Sequence, residues 1–345
     1  MLQSRLDRAN MAVVNAIYPG LGLGGRATGS IDFEQANADA FPRADARLTV
    51  TGFTRTTAAT VSQPVDINFA GKLLSDGGEA RAVVRKRGSV IGRLQASLRP
   101  LGPGAGDWTT RLRAAPLSGG LRYNGPADTL YSFAGPADQG VSGPVAVAAD
   151  FSCQLSDPCL QGVVRGNGMV YENQAYGTRL TDMAVNGHFT GNRLEIEQLT
   201  AKAGDGTVQA KGFVSLSQAD GYPMDISATL DNARLAKSEN IAARATGTLR
   251  LEKVAGQTAL LSGDLRLPET RYRIVREGAA SVPVLTGVRR KLPTGRRRIS
   301  GDGLAAVGGS LFDLIRLDIR MRAKDQIYVK GMGLESEWQA DVQQI

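Results

Sequence analysis

Few residues in this chain have types and spacing suited to chemistry. The one histidine is His188, so a Ser-His-Asp or Cys-His arrangement has a single candidate base, and there is no G-x-S-x-G elbow for it to serve. The alternation around it puts His188 on the polar side of a strand, as a solvated surface side chain. Glu195 and Glu197 stand two apart on the same wet face, which is ordinary strand decoration rather than a facing glycosidase pair. Gly20, Gly22 and Gly25 in "PGLGLGGRATG" match G-x-G-x-x-G. Pyrophosphate binding by that pattern requires a strand before it and a helix after it. Here a helical pattern precedes and the alternating strand "RATGSIDF" follows, which excludes dinucleotide binding.

Cys153 and Cys159 flank a Ser-Asp-Pro turn in "CQLSDPCL". Across a hairpin they either pair as a disulfide, which implies an oxidising compartment, or stand as two reduced structural thiols. With no histidine nearby they fall short of four zinc ligands, so no metal is expected. Arg289, Arg290, Lys291, Arg296, Arg297 and Arg298 in "RRKLPTGRRR" form a basic run without an acid. It reads as a solvated loop or as a contact for the phosphate groups of lipid or lipopolysaccharide. Nucleic acid is excluded as a partner, because no aromatic interleaves the run as base stacking needs. Neither catalysis nor a cofactor is expected.

The elements around these residues are more informative. At 345 residues the chain exceeds the usual single core of about 250 to 300, so it is several domains or one elongated repetitive body. Abundant glycine (42), few aromatics (6%) and modest proline (14) favour the second, as many short strands joined by tight turns. The net charge of +8 speaks to solubility and weak association with anions. Period-two segments recur at 26–33, 46–53, 65–71, 80–87, 90–98, 109–113, 145–153 and 162–171. They continue at 224–230, 246–252, 260–267, 314–322 and 327–334. In "LIRLDIRMR", Ile315, Leu317, Ile319 and Met321 face one way and Arg316, Asp318, Arg320 and Arg322 the other, a sheet with one dry face and one charged face.

Residues 1–18 read as an amphipathic helix capping the β core, with Leu2, Leu6, Ala9, Val13 and Ile17 at helical spacing and neither a signal-peptide core nor a membrane span. β repeats follow over 19–99, and a Gly/Pro loop with irregular strands over 100–144. A β-meander covers 145–270, a basic loop 271–313, and late strands 314–345. Asn232 to Ala243 reads as a short helix over the sheet edge. The expected fold is all-β: a long antiparallel sheet curled lengthwise, with an apolar inner face.

The stretch "DQIYVKGMGLESEWQADV", Asp325 to Val342, combines a strand, the pattern V-x-G-x-G-L and an acidic, small-residue stretch. It resembles the TamB family, the inner-membrane component of the translocation and assembly module of Gram-negative bacteria and a relative of the AsmA-like lipid-transfer bridges. "VRGNGMVYENQAYGTRL" and "DNARLAKSENIAARATGTLRLEKV" are similar to the repeats before that segment, and the resemblance runs from about Val145 onward. It implies a β-taco trough in the periplasm, anchored in the inner membrane by an N-terminal helix that this sequence lacks. It also implies phospholipid acyl chains as cargo, an Omp85-type outer-membrane barrel as partner, and roles in phospholipid movement, outer-membrane protein assembly and secretion. The sequence stops just after the V-x-G-x-G-L segment, so a central to late fragment without the family's C-terminal end is expected.

An apolar groove would be useful for such cargo. At about 0.8 kcal/mol per methylene, taking a two-chain lipid of about 30 methylenes into water costs about 24 kcal/mol, which allows escape at about 10⁻⁵ per second. About 25 strands at about 4.8 Å would span about 120 Å. The row expected to line the groove is Val185, Phe189, Leu194, Ile196, Val208, Val214, Leu216, Ile226, Leu230, Leu249, Leu251, Leu265, Leu267, Ile315, Leu317 and Ile319. Plain β core gives the same alternation, and the alternative function is a structural or adhesive β-repeat protein, such as a β-helix, with a solid core.

Overall fold

Side chains that alternate for ten residues or more can bury their apolar half only if neighbouring strands keep the same phase, so the register decides the architecture. The computed structural model describes residues 2–16, 21–37, 39–56, 61–133, 139–174, 176–217, 220–237, 241–268, 270–274, 315–331 and 334–344. Within them the chain forms one sheet of 19 strands. The first seven are β1 (Leu2–Asn10), β2 (Leu23–Glu34), β3 (Arg43–Arg55), β4 (Val65–Leu73), β5 (Gly78–Lys86), β6 (Ser89–Leu98) and β7 (Leu117–Pro126). Next come β8 (Gln139–Ser142), β9 (Pro144–Gln154), β10 (Asp157–Asn173), β11 (Thr178–Gly191), β12 (Arg193–Ala203) and β13 (Gly206–Ser215). The last six are β14 (Met224–Lys237), β15 (Ile241–Lys253), β16 (Ala259–Arg266), β17 (Thr270–Arg273), β18 (Ile315–Gly331) and β19 (Leu334–Gln344).

Neighbours pair antiparallel in chain order from β1 to β7, then from β7 to β9 and on to β16. Antiparallel hairpins are not the stacked parallel coils of a β-helix. Two long strands outrun their partners, and a short strand fills each vacancy: β8 continues the ladder along β10 beyond β9, and β17 continues it along β15 beyond β16. The breaks fall at Pro144 and Pro268, where a missing N–H interrupts a ladder.

Several sequence expectations are corrected. The sheet is not wholly antiparallel, because β18 runs parallel to β16 and β17, with residues 275–314 between them in the chain. A parallel neighbour needs a connection of a dozen residues or more, and that segment is long enough. The N-terminal helix is absent: β1 pairs with β2, Leu6 opposite Gly29, and only Met11–Ala16 form a 3-10 turn. Leu2 and Leu6 stand four apart, which also puts them on one face of a strand, and the edge of β2 offered hydrogen bonds that an isolated short helix could not match. Residues 109–113 lie in a helix, α1 (Trp108–Arg113), because Asp107 accepts the Thr110 N–H at 3.2 Å and caps it. Residues 232–237 and 241–243 do not make a helix but belong to the ends of β14 and β15, and Asn232 takes a left-handed φ of 45° at a bulge. The late strands expected at 314–322 and 327–334 join into the single strand β18 over Ile315–Gly331, and Leu334 opens β19. Longer strands mean fewer of them, so the span is shorter than expected: the ladder from β1 to β18 has sixteen members, about 72 Å at about 4.8 Å per step. The basic run Arg289–Arg298 lies outside the described residues.

Candidate functional site

Following the register across the sheet joins one residue per strand into a continuous row. It reads Ala9, Ala27, Val50, Ile67, Val84, Gly92, Tyr123, Val147, Val164, Gly187, Ile196, Gly212, Ile226, Leu251, Leu261 and Leu317. Every member is apolar or glycine, and none is exposed. A second row beside it runs Leu6, Gly29, Leu48, Phe69, Ala82, Leu94, Leu121, Ala149, Gly162, Phe189, Leu194, Val214 and Met224. The row between them on the opposite face is Thr28, Thr49, Asn68, Val83, Arg93, Arg122, Ala148, Val163, His188, Glu195, Phe213, Asp225 and Glu252, mixed and largely polar. Two glycines let the strands approach within the rows: a Cβ on Gly162 (φ 149°) would sit 1.9 Å from the Ala148 carbonyl oxygen, and one on Gly212 (φ 146°) 2.0 Å from that of Asp225.

The apolar face is packed along one rim only. Val65, Ile91, Tyr123, Val145, Met169, Met183 and Ala201 form one buried cluster there, and Ala203, Val208, Leu230, Ala233, Ala245 and Leu265 a second. A short helix, α2 (Ala127–Ser132), closes the first. Ala127 is buried in it, and Phe133 stacks on Phe53 with ring centroids 6.1 Å apart. A polar clasp holds α2: the Lys86 ammonium donates to Gln63, to Thr129 Oγ1 at 2.7 Å and to Asp128 Oδ1 at 3.3 Å. Burial pushes the Asp128 carboxyl up, but hydrogen bonds from Gln63 and Lys86 and the ammonium charge outweigh it and hold it below the usual carboxylate value. Tyr123 donates its hydroxyl proton to the Pro126 carbonyl at 2.7 Å, and burial raises its phenol.

The sixteen residues expected to line a groove divide between the rims. Val185, Val208, Leu230, Leu249, Leu265, Leu267 and Ile319 belong to or pack on the two clusters. Phe189, Leu194, Ile196, Val214, Leu216, Ile226, Leu251, Ile315 and Leu317 lie outside them and are half-buried. Tyr123 and α2 were missed by sequence reasoning. The tyrosine was in reach, since it alternates with Leu121, but nothing local says that α2 folds onto the apolar face.

Chemistry-bearing side chains do not converge. His188 is half-buried on the polar face. Its Nδ1 lies 2.9 Å from Glu197 Oε1 but out of line with a ring N–H, so the pair is at ion-pair distance without a directed hydrogen bond. Glu195 is the direct cross-strand partner of His188 in the same row. Cys153 and Cys159 are bonded across the β9–β10 turn with Cα atoms 5.5 Å apart. That hairpin tip is fastened beside α1 by the N–H groups of Leu155 and Ser156, which donate to the Ala115 and Arg113 carbonyls at 3.0 Å each. Among the described residues no helix is long and apolar enough to cross a membrane.

Residues 197–343, from β12 to β19, match the family of TamB C-terminal domains. No curated protein matches the chain, and no solved structure does.

Proposed function

We propose, from the match of residues 197–343 to the TamB C-terminal domain family, a bacterial envelope family of transport and assembly scaffolds, that the apolar face of this chain conducts phospholipid acyl chains between the inner and outer membranes. The observation that carries the reading is the unbroken apolar row across sixteen strands. A chain lying against this face meets mostly methyl, methylene or glycine surface, with Tyr123, Ile67, Val84, Val147 and Val164 drawn toward the packed rim, and so avoids the cost of about 0.8 kcal/mol per methylene that water would impose. Few aromatics and no polar interruption mean no point of strong retention. The half-buried side chains of the open rim offer the contact, while the packed rim supplies rigidity.

Other parts of the molecule support the envelope setting. A disulfide suits an oxidising periplasm. Among the described residues β19 is a terminal strand of the ladder, pairing with β18 alone, and its Leu334, Trp338 and Val342 are exposed. Such an edge suits strand addition by a partner, and an Omp85-type barrel is the partner we assign to it. The basic run Arg289, Arg290, Lys291, Arg296, Arg297 and Arg298 is assigned to anionic headgroups on charge alone.

The test places a photo-crosslinking side chain at Phe189, Ile226 and Leu317, with Gln209 and Arg316 on the polar face and Leu230 at the packed rim as controls. It is made in cells, in the full-length protein, with adducts read by mass spectrometry. Lipid adducts are expected at the first three positions alone. Protein adducts there instead would replace acyl chains with unfolded outer-membrane proteins as cargo. Silence everywhere, with the protein folded and abundant, would leave a structural scaffold.

A further inference from the structure

The polar face is not evenly convex. Two adjoining depressions of about 470 Å³ and 920 Å³ lie on it and share Val163 and Arg165. The smaller exists because of β9. Where its neighbours carry Arg122 and Asn124 on one side and Val163 and Arg165 on the other, β9 carries only Ala148 and Ala146. Two missing side chains leave a floor of methyl groups between arginines on strands about 9.6 Å apart.

The charges around that floor are unbalanced. Arg93 and Arg122 are direct cross-strand partners, a like-charge pair that opposes the sheet unless something neutralises it. Arg122 is turned aside: its Nη2 reaches Asp150 Oδ1 at 2.6 Å, and its Nη1 donates to the Leu121 and Ala149 carbonyls at 3.0 and 2.9 Å. Arg93 and Arg165 are exposed and have no hydrogen bond or ion pair among the described residues. Three guanidinium groups thus stand against one carboxylate, with two forks free, over an apolar floor extended by the exposed Val90 and Val163.

We propose that this depression binds an amphiphile whose phosphate headgroup carries net negative charge, with no cation of its own to compete with the arginines. The forks of Arg93 and Arg165 take the phosphate oxygens, a geometry that guanidinium matches in two parallel hydrogen bonds. Ala146, Ala148, Val90 and Val163 take the first methylenes. The site lies on the face opposite the acyl path and stands independently of it.

The test is calorimetric titration of the full chain at low salt with dihexanoyl phosphatidic acid, dihexanoyl phosphatidylcholine, both below micelle formation, and inorganic phosphate. Phosphatidic acid is expected to bind tightest, with phosphatidylcholine and inorganic phosphate each at least about tenfold weaker. Arg93→Gln and Arg165→Gln should each weaken phosphatidic acid by about tenfold, the loss of one charge-assisted contact. Arg47→Gln, which removes the same charge elsewhere on the polar face, should leave binding unchanged. Because Arg93→Gln relieves the like-charge pair, its melting temperature without ligand should equal or exceed that of the parent, so weak binding by this variant is not a folding defect. Inorganic phosphate binding as tightly as phosphatidic acid would keep the anion site and overturn the amphiphile. Equal loss in Arg47→Gln, or equal binding of phosphatidylcholine, would overturn the site. Binding that survives both arginine variants would belong to the apolar face, and would overturn this site without touching that reading.

Discussion

The two rims of the apolar face belong to the same strands and obey the same alternation, yet they end in different states. At one rim Ala203, Ala233 and Ala245 are 0% exposed, and Leu230 and Leu265 only 3% and 4%. At the other, Phe189, Leu194, Val214, Ile226, Leu251 and Leu317 are half-buried and join no cluster. The difference tracks side-chain volume. Alanines toward the ends of β12, β14 and β15 let the apolar side chains around them close up. Hydrophobicity therefore chooses the face, and in the second cluster small side chains help that face close into core.

The comparison can be broken most sharply by truncation. Leu230→Ala should cost about 2 to 5 kcal/mol, as for a buried leucine that leaves a cavity. Leu251→Ala should cost less, about 1 to 2 kcal/mol, because part of its surface already meets solvent. Urea midpoints of the two variants measure this, and equal losses would mean that the rims are equivalent. Overfilling probes the same contrast from the other side: Ala233→Val should destabilise by about 1 to 3 kcal/mol, since the position has no spare room. Ala82→Val, on the row through Phe69 and Leu94, should be nearly neutral, and thermal melts of the two variants measure the contrast.

A smaller effect is expected at the hairpin tip. Replacing both cysteines by serine opens a loop of sequence separation 6 and should cost about 2 kcal/mol at most. Hydrogen exchange should rise at residues 153–159 and in α1, and at neither rim. The smallest effect is the pH dependence of the clasp on α2. Asp128 has a carboxyl held below its unfolded value of about 3.9. Its contribution is therefore fully present above that value and disappears as pH falls through the lower folded value. The melting temperature should drop between about pH 5 and pH 3, and drop less in Asp128→Asn. An identical slope in the two proteins would remove the clasp from the packed rim.

Much of this was legible in the residues, and the failures have a common cause. Alternation is a local property, so Ile315 to Met321 could be read as one dry and one charged face before any partner was known. Leu2 and Leu6 could not be read, because a spacing of four satisfies both a helix and a strand, and a distant element, β2, settled the choice. Asn232 to Ala243 failed for the opposite reason: a bulge shifted the phase, and broken alternation looks helical. Asp107 was a legible cap that a weak alternation at 109–113 concealed.

By itself the sequence determined that the chain forms strands and which side of most strands is apolar, since these follow from neighbours two residues apart. Only the tertiary structure decided that sixteen strands keep one phase, that one rim packs while the other stays open, that β18 enters parallel, and that two alanines of β9 sink a basic hollow into the polar face. Each of these depends on which residues stand opposite one another across strands, and register is set by the whole ladder rather than by any strand within it.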